Sequence, residues 1–146
     1  MKKTKRRQRF DTTFERKVIP ESLIDTATSL DDYDKKQLKN RSAYFMLNGA
    51  PEFAVNETEK GRFKLLANER DFFAVKLTGA REIAVRVYSF TDENAERFSL
   101  LERLKTERLG AMEEGYLMQR LIKEFGFTQD DIASLIGKSR PAVAHT

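Results

Sequence analysis

The sequence predicts an α+β chain, a small mixed-sheet domain followed by an all-helical module. Three observations carry this. Short apolar runs of strand type are confined to the first part of the chain. From Thr91 onward the apolar residues recur at helical spacing. The change falls near residue 90 with no internal repeat and no low-complexity linker around it.

The elements follow in order. Residues 1–17 hold eight Lys and Arg against Asp11 and Glu15, a net of +6, which leaves −2 for the rest of a chain whose total is +4. This reads as a basic flexible tail that can bind phosphates, an acidic partner or nothing in particular. Val18-Ile19-Pro20 enters the first domain, 18–90, as a strand. Asp34 can cap a helix to about Leu47, with Leu38, Phe45 and Met46 as its buried positions and Asn48-Gly49 as its stop. Phe53-Ala54-Val55 and Phe63-Lys64-Leu65-Leu66 flank a polar stretch ending in Gly61, the pattern of a hairpin. Asn68 can cap a helix carrying Phe72, Phe73 and Leu77 up to Gly79. Ile83 to Tyr88 alternates as a strand. In the second domain, 91–146, helices are expected over about 91–105, 111–125, 128–136 and from 139 on, with Gly126 closing the second.

The last stretch, 128–146, has the pattern of a DNA-binding helix-turn-helix. Thr128 is a good N-cap, and Asp131 can return its hydrogen bond as in a capping box. Ile132, Ala133, Leu135 and Ile136 supply an apolar face. Gly137 suits the left-handed turn, and Ser139 caps a second helix with Pro141 in its first turn. Two short helices crossing tightly need a small residue, a glycine and a β-branched residue packing back, here Ala133, Gly137 and Val143. Thr128, Gln129, Ser139, Arg140, Ala142, His145 and Thr146 are then the residues offered to double-stranded DNA, with Lys138 and Arg140 placed for phosphates. An ordinary helical hairpin is the plainer alternative. The chain stops before the second helix completes its apolar face, so the motif reads as incomplete and the chain as part of a longer protein.

Composition narrows the rest. With 40% hydrophobic residues and eleven Phe, a packed core is expected. The absence of Cys rules out disulfides, thiolate metal sites and thiol nucleophiles, and no metal site is proposed. No membrane span or signal peptide is visible, which leads to the expectation of a soluble, cytoplasmic protein.

Over most of residues 18–146 the sequence resembles the ParB chromosome and plasmid partition proteins, nucleoid-occlusion factors included. The motifs are Leu100-Leu101-Glu102 through Leu109, Met112-Glu113-Glu114, Phe127-Thr128-Gln129 and Gly137-Lys138-Ser139-Arg140, with Leu66-Ala67-Asn68-Glu69-Arg70 to Gly79 resembling the family's phosphate-contacting segment. The resemblance implies a ParB/sulfiredoxin-like first domain and binding to a centromere-like site. It also implies a homodimeric clamp dependent on CTP with Mg²⁺, at most a slow CTPase, in the nucleoid. A ParA-like ATPase would meet the tail at Arg6, Arg7 or Arg9. Gly49, Asn68, Glu69, Arg70, Glu102 and Arg103 are the implied nucleotide contacts.

The match departs from the family at charge. Gly-Glu-Arg-Arg is here Asn68-Glu69-Arg70-Asp71, and Glu-Asn-x-x-Arg is Glu102-Arg103-Leu104-Lys105-Thr106. The Gln-Pro-Arg expected between Ile24 and Asp34 is missing. A carboxylate beside a triphosphate is repulsive by about 1 kcal/mol when exposed and more when poorly solvated. A nucleotide-independent ParB-like regulator therefore stands as an alternative. So does a nucleotide-using small-molecule kinase on the same fold, with Glu69, Asp71 and Glu102 as its available carboxylates. A protein-interaction module built on the helices at 91–125 is a further possibility.

Overall fold

The computed structural model describes residues 11–137. These fall into two compact units, Thr13–Phe90 and the helices that follow.

The first unit is a five-stranded mixed sheet with two helices. In chain order the elements are β1 (Glu15–Pro20), β2 (Ile24–Asp25), α1 (Lys35–Asn48), β3 (Phe53–Glu57), β4 (Phe63–Leu65), α2 (Glu69–Leu77) and β5 (Glu82–Tyr88), with 3₁₀ turns at Glu21–Leu23 and Leu30–Asp32. The sheet order is β1-β5-β3-β4-β2. β1 runs antiparallel to β5 with Ile19 opposite Ile83, and β3 runs parallel to β5 with Phe53 opposite Val85. β3 and β4 form the expected hairpin, Val55 opposite Leu65. The short β2 pairs parallel with β4.

Alternation fixes which face is buried. Ile83, Val85 and Val87 of β5 join Phe53 and Val55 of β3 and Phe63 and Leu65 of β4 in one core. From the helices, Leu38 and Phe45 of α1 and Phe72, Phe73 and Val75 of α2 enter the same core. Phe53 and Phe72 meet edge to face at 5.8 Å. Each such side chain contributes about 1.5–3 kcal/mol by leaving water. β3 is buried on both faces, so its Asn56 must be satisfied internally. Its amide donates to the Phe90 carbonyl at 3.3 Å and accepts from the Phe90 N–H at 2.7 Å. On that face Arg16 lies directly opposite Arg86, a like-charge pair held by Glu52 between them at 3.0 and 3.6 Å.

The helical unit contains α3 (Asp92–Thr106), α4 (Ala111–Phe125) and α5 (Gln129–Ile136). Thr91 caps α3 by accepting from the Asn94 N–H. Gly126, at φ 75, closes α4, and the Phe127 N–H reaches back to the Leu121 carbonyl at 3.2 Å. Leu104, Leu117, Leu121, Phe125 and Ile132 form the centre of this second core. Arg120 of α4 bridges Glu96 of α3 and Glu124 of its own helix at 2.6 and 2.8 Å.

Several expectations are corrected. The first strand starts at Glu15, inside the stretch read as tail, because Glu15 to Lys17 already pair with β5. Met46 is 70% exposed: Leu38, Ser42 and Phe45 trace the buried face of α1, and Met46 lies one step round from it. Leu77 and Leu135 stand on the outer sides of their helices for the same reason. Asn68 occupies the N-cap position, but its side chain does not cap α2.

Candidate functional site

The described part of the helix-turn-helix is built as the sequence requires. The Thr128 hydroxyl accepts from the Asp131 N–H at 3.0 Å, and the Asp131 carboxylate accepts from the Thr128 N–H at 2.9 Å. This reciprocal pair satisfies two of the N–H groups left open at the start of α5. It commits the Thr128 hydroxyl to the helix start, whereas Gln129 beside it is exposed. Ile132, Ala133 and Ile136 turn inward, and the small Ala133 keeps the surface low where a second helix would cross. Gly137 ends α5 at φ 76, ψ 16, its N–H donating to the Ala133 carbonyl at 3.0 Å. Lys138, Ser139, Arg140, Ala142, His145 and Thr146, and the tail residues Arg6, Arg7 and Arg9, lie outside the described residues.

In the first unit the proposed phosphate segment opens α2. Asn68 has φ 65, ψ 42, the left-handed conformation, and is the single non-glycine residue with positive φ among the described residues. Asn tolerates this region better than other residues with a Cβ, so the turn expected of a glycine is retained at modest strain. The Glu69 carboxylate faces the loop after β2. It accepts from the Ala27 and Thr28 N–H groups at 2.8 Å each and from the Thr28 hydroxyl. That hydroxyl lies 2.8 Å from the Tyr33 hydroxyl, and the exposed Arg70 guanidinium stands 5.7 Å over the Tyr33 ring. Glu69 is thus a loop anchor.

Asp71, at the position where a cation is missing, is held by Arg41 of α1. Arg41 Nε donates to Oδ1 at 3.0 Å, and Nη2 lies 3.5 Å from Oδ2. The guanidinium also covers the rings of Tyr44 and Phe45 at 4.9 and 4.7 Å. The hydrogen bond to Asp71 raises the Arg41 pKa above the usual arginine value, so this cation does not titrate. Nothing in the sequence marks Arg41: its partner lies thirty residues away, and only the packing of α1 along α2 brings them together. Gly49, at φ 87, ends α1 with open space where a Cβ would stand.

Glu102 and Arg103 fall on α3 in the helical unit. Arg103 is committed there: its Nε donates to Glu107 at 3.1 Å and its Nη2 to Glu113 at 2.7 Å. Burial works to lower its pKa, but the two carboxylates outweigh burial and leave it raised. The Thr106 hydroxyl donates to the Glu102 carbonyl at 2.8 Å. Among the described residues no cluster of His, Cys, Asp and Glu is arranged to hold a metal ion, and no helix is long and apolar enough to cross a membrane.

Comparison with known proteins places these features in context. A sequence model of the ParB HTH domain matches residues 107–146. The chain is 38% identical over 113 residues to the probable chromosome-partitioning protein ParB of Coxiella burnetii, covering 77% of this chain and 39% of that protein. It is 37% identical over 115 residues to the Pseudomonas putida counterpart, covering 78% and 40%. The nucleoid occlusion protein of Halalkalibacterium halodurans is 29% identical over 113 residues, covering 77% and 40%. The match thus spans at most about two-fifths of these relatives' length. Among solved structures, the C-terminally truncated ParB of Caulobacter crescentus complexed to the centromeric parS site has a TM-score of 0.70 at 23% identity, over 88% of this chain and 68% of that one. The same protein complexed with CTP-gamma-S gives 0.54 at 22% identity, over 89% and 75%. At these identities the likeness is one of fold.

Proposed function

Taking the chain as a member of the ParB family, we propose that it binds DNA sequence-specifically and acts in chromosome or plasmid segregation, or in nucleoid occlusion. The observation that carries this reading is α5. Its capping box, inward Ala133 and left-handed Gly137 make the first half of a helix-turn-helix, within the residues that match the ParB HTH domain. The second half would present Ser139, Arg140, Ala142, His145 and Thr146 to base edges, with Lys138 on phosphate. A homodimer would read two half-sites in the nucleoid, and the tail arginines would meet a ParA-like ATPase.

Fluorescence anisotropy with a parS-type duplex and a scrambled duplex tests this. Specific binding should fall by about tenfold or more in Arg140→Ala, at about 1–3 kcal/mol for a bidentate base contact. Lys138→Ala should weaken both duplexes alike and flatten the salt dependence by about one unit of slope. Equal affinity for the two duplexes would overturn the reading.

A second reading concerns CTP, and the left-handed Asn68 favours it. The α2 segment meets the conformational demand of a phosphate turn, and Arg70 offers an exposed cation. Arg70, the Asn68 backbone and Gly49 would hold the nucleotide. Bound with Mg²⁺, it would supply the charge around which two protomers close on DNA. Against this, Arg103 is tied to Glu107 and Glu113, which favours the nucleotide-independent regulator. The kinase alternative loses Glu69, whose carboxylate is occupied by the Ala27 and Thr28 N–H groups. Calorimetry with CTP against ATP and GTP, on the protein and on Arg70→Ala, separates the readings. Selective CTP binding lost in the variant supports the clamp; no nucleotide binding by the folded protein leaves the regulator.

A further inference from the structure

We propose that Arg41 supplies, from α1, the phosphate-binding cation that position 71 lacks, and that Asp71 is the internal anion from which a polyphosphate must take it. The inference rests on the nucleotide reading and adds to it a residue outside every motif.

The geometry has three parts. The guanidinium is already held at the first turn of α2 by a two-point contact with Asp71, so its fork is oriented toward anionic oxygens. The Tyr44 and Phe45 rings fix its plane from the α1 side. The pair is partly open to solvent, with the Arg41 side chain 45% exposed and Asp71 24%, so phosphate oxygens can reach it and the exchange of one anion for another is inexpensive. Glu69 does not compete, because its oxygens already accept from Ala27 and Thr28. A triphosphate at the first turn of α2 would then gain Arg41 in addition to the exposed Arg70, with Asp71 as the carboxylate it displaces from Arg41.

The test is binding of inorganic triphosphate and of CTP, by calorimetry, to the full chain and three variants. Asp71→Asn releases Arg41 and removes one repulsive charge, so both ligands should bind about tenfold tighter. Adding Arg41→Gln to Asp71→Asn should then lose at least tenfold, whereas Arg41→Lys in the same background should recover part of it, since the charge returns without the fork. Melting temperatures should stay close together, because a pair partly open to solvent adds little to stability. If Arg41→Gln in the Asp71→Asn background changes affinity less than twofold while CTP still binds, Arg41 merely neutralises Asp71; the inference falls and the nucleotide reading stands. If triphosphate binding depends on Arg41 but CTP shows no advantage over ATP and GTP, the inference stands and cytidine selectivity fails. If no variant binds either ligand, both fall.

Discussion

Gly137 gives the sharpest test of the helix-turn-helix, because only one kind of energy is at stake there. Its φ of 76 lies in the left-handed region, and a Cβ built on it would meet nothing within 4 Å among the described residues. The described residues therefore add no crowding, and replacement acts on them through backbone conformation. For an L-residue with a Cβ that term is about 1–2 kcal/mol. The loss of glycine's freedom in the unfolded chain offsets about 0.4–1 kcal/mol of it. Gly137→Ala should thus destabilise the helical unit by about 1 kcal/mol. Asn, which visits this region, should cost a few tenths. Val, stiff at χ1 and an outlier at positive φ, should cost about 2 kcal/mol. In a domain of this size each kcal/mol is worth about 4–8 °C in Tm. Thermal denaturation of the three variants, with DNA binding measured in parallel, should return the order Gly, Asn, Ala, Val in both. Three variants equal within about 0.3 kcal/mol, or an Ala variant more stable than the parent, would refute the claim that this turn imposes the left-handed conformation.

Ile132 is fully buried, so Ile132→Ala should cost about 2–5 kcal/mol in urea denaturation, and a loss under about 1 would mean that α5 is not packed as described. Asn68→Ala should be about 1 kcal/mol less stable than Asn68→Gly, as read by melting, because position 68 holds a left-handed backbone that glycine adopts without the Cβ penalty. The hydrogen bond from Arg120 holds the Glu124 pKa below the ordinary carboxylate value of 4.5. A carboxylate with a lowered folded pKa stabilises above its unfolded pKa and loses that contribution as pH falls through the folded value. Arg120→Gln should therefore flatten the decline of Tm below about pH 5, and an unchanged acid limb would count against the pair.

Local chemistry was what the sequence displayed well. The Thr128 and Asp131 capping box, the ends at Gly126 and Gly137 and the β3–β4 hairpin each depend on residues a few positions apart. What it hid depends on packing between distant segments. The order β1-β5-β3-β4-β2 has no local signature. Apolar type alone did not separate Phe45, which faces the core, from Met46, which does not. At the candidate nucleotide site the sequence exposed the loss of cations but gave no hint that Arg41 lies against Asp71 or that Glu69 anchors Ala27 and Thr28. Reading Asn68 as a helix cap used a correct preference in the wrong role: what counted there was tolerance of a positive φ.

The pairing of β1 with β5 has a consequence in time. The first strand of the sheet finds its partner only when Glu82 to Tyr88 has been made, and β3 also needs β5 at its side. The hairpin of β3 and β4 can form from neighbouring residues, but the sheet cannot close until nearly the whole unit has been synthesised. Contacts of such long sequence separation close slowly. During synthesis β1 therefore waits with an open edge, and its Glu15, Arg16 and Lys17, ending in Pro20, are the residue types that discourage pairing with a foreign strand meanwhile. Because β1 stays at the edge of the finished sheet, the same charges go on discouraging foreign pairing there after the unit has formed.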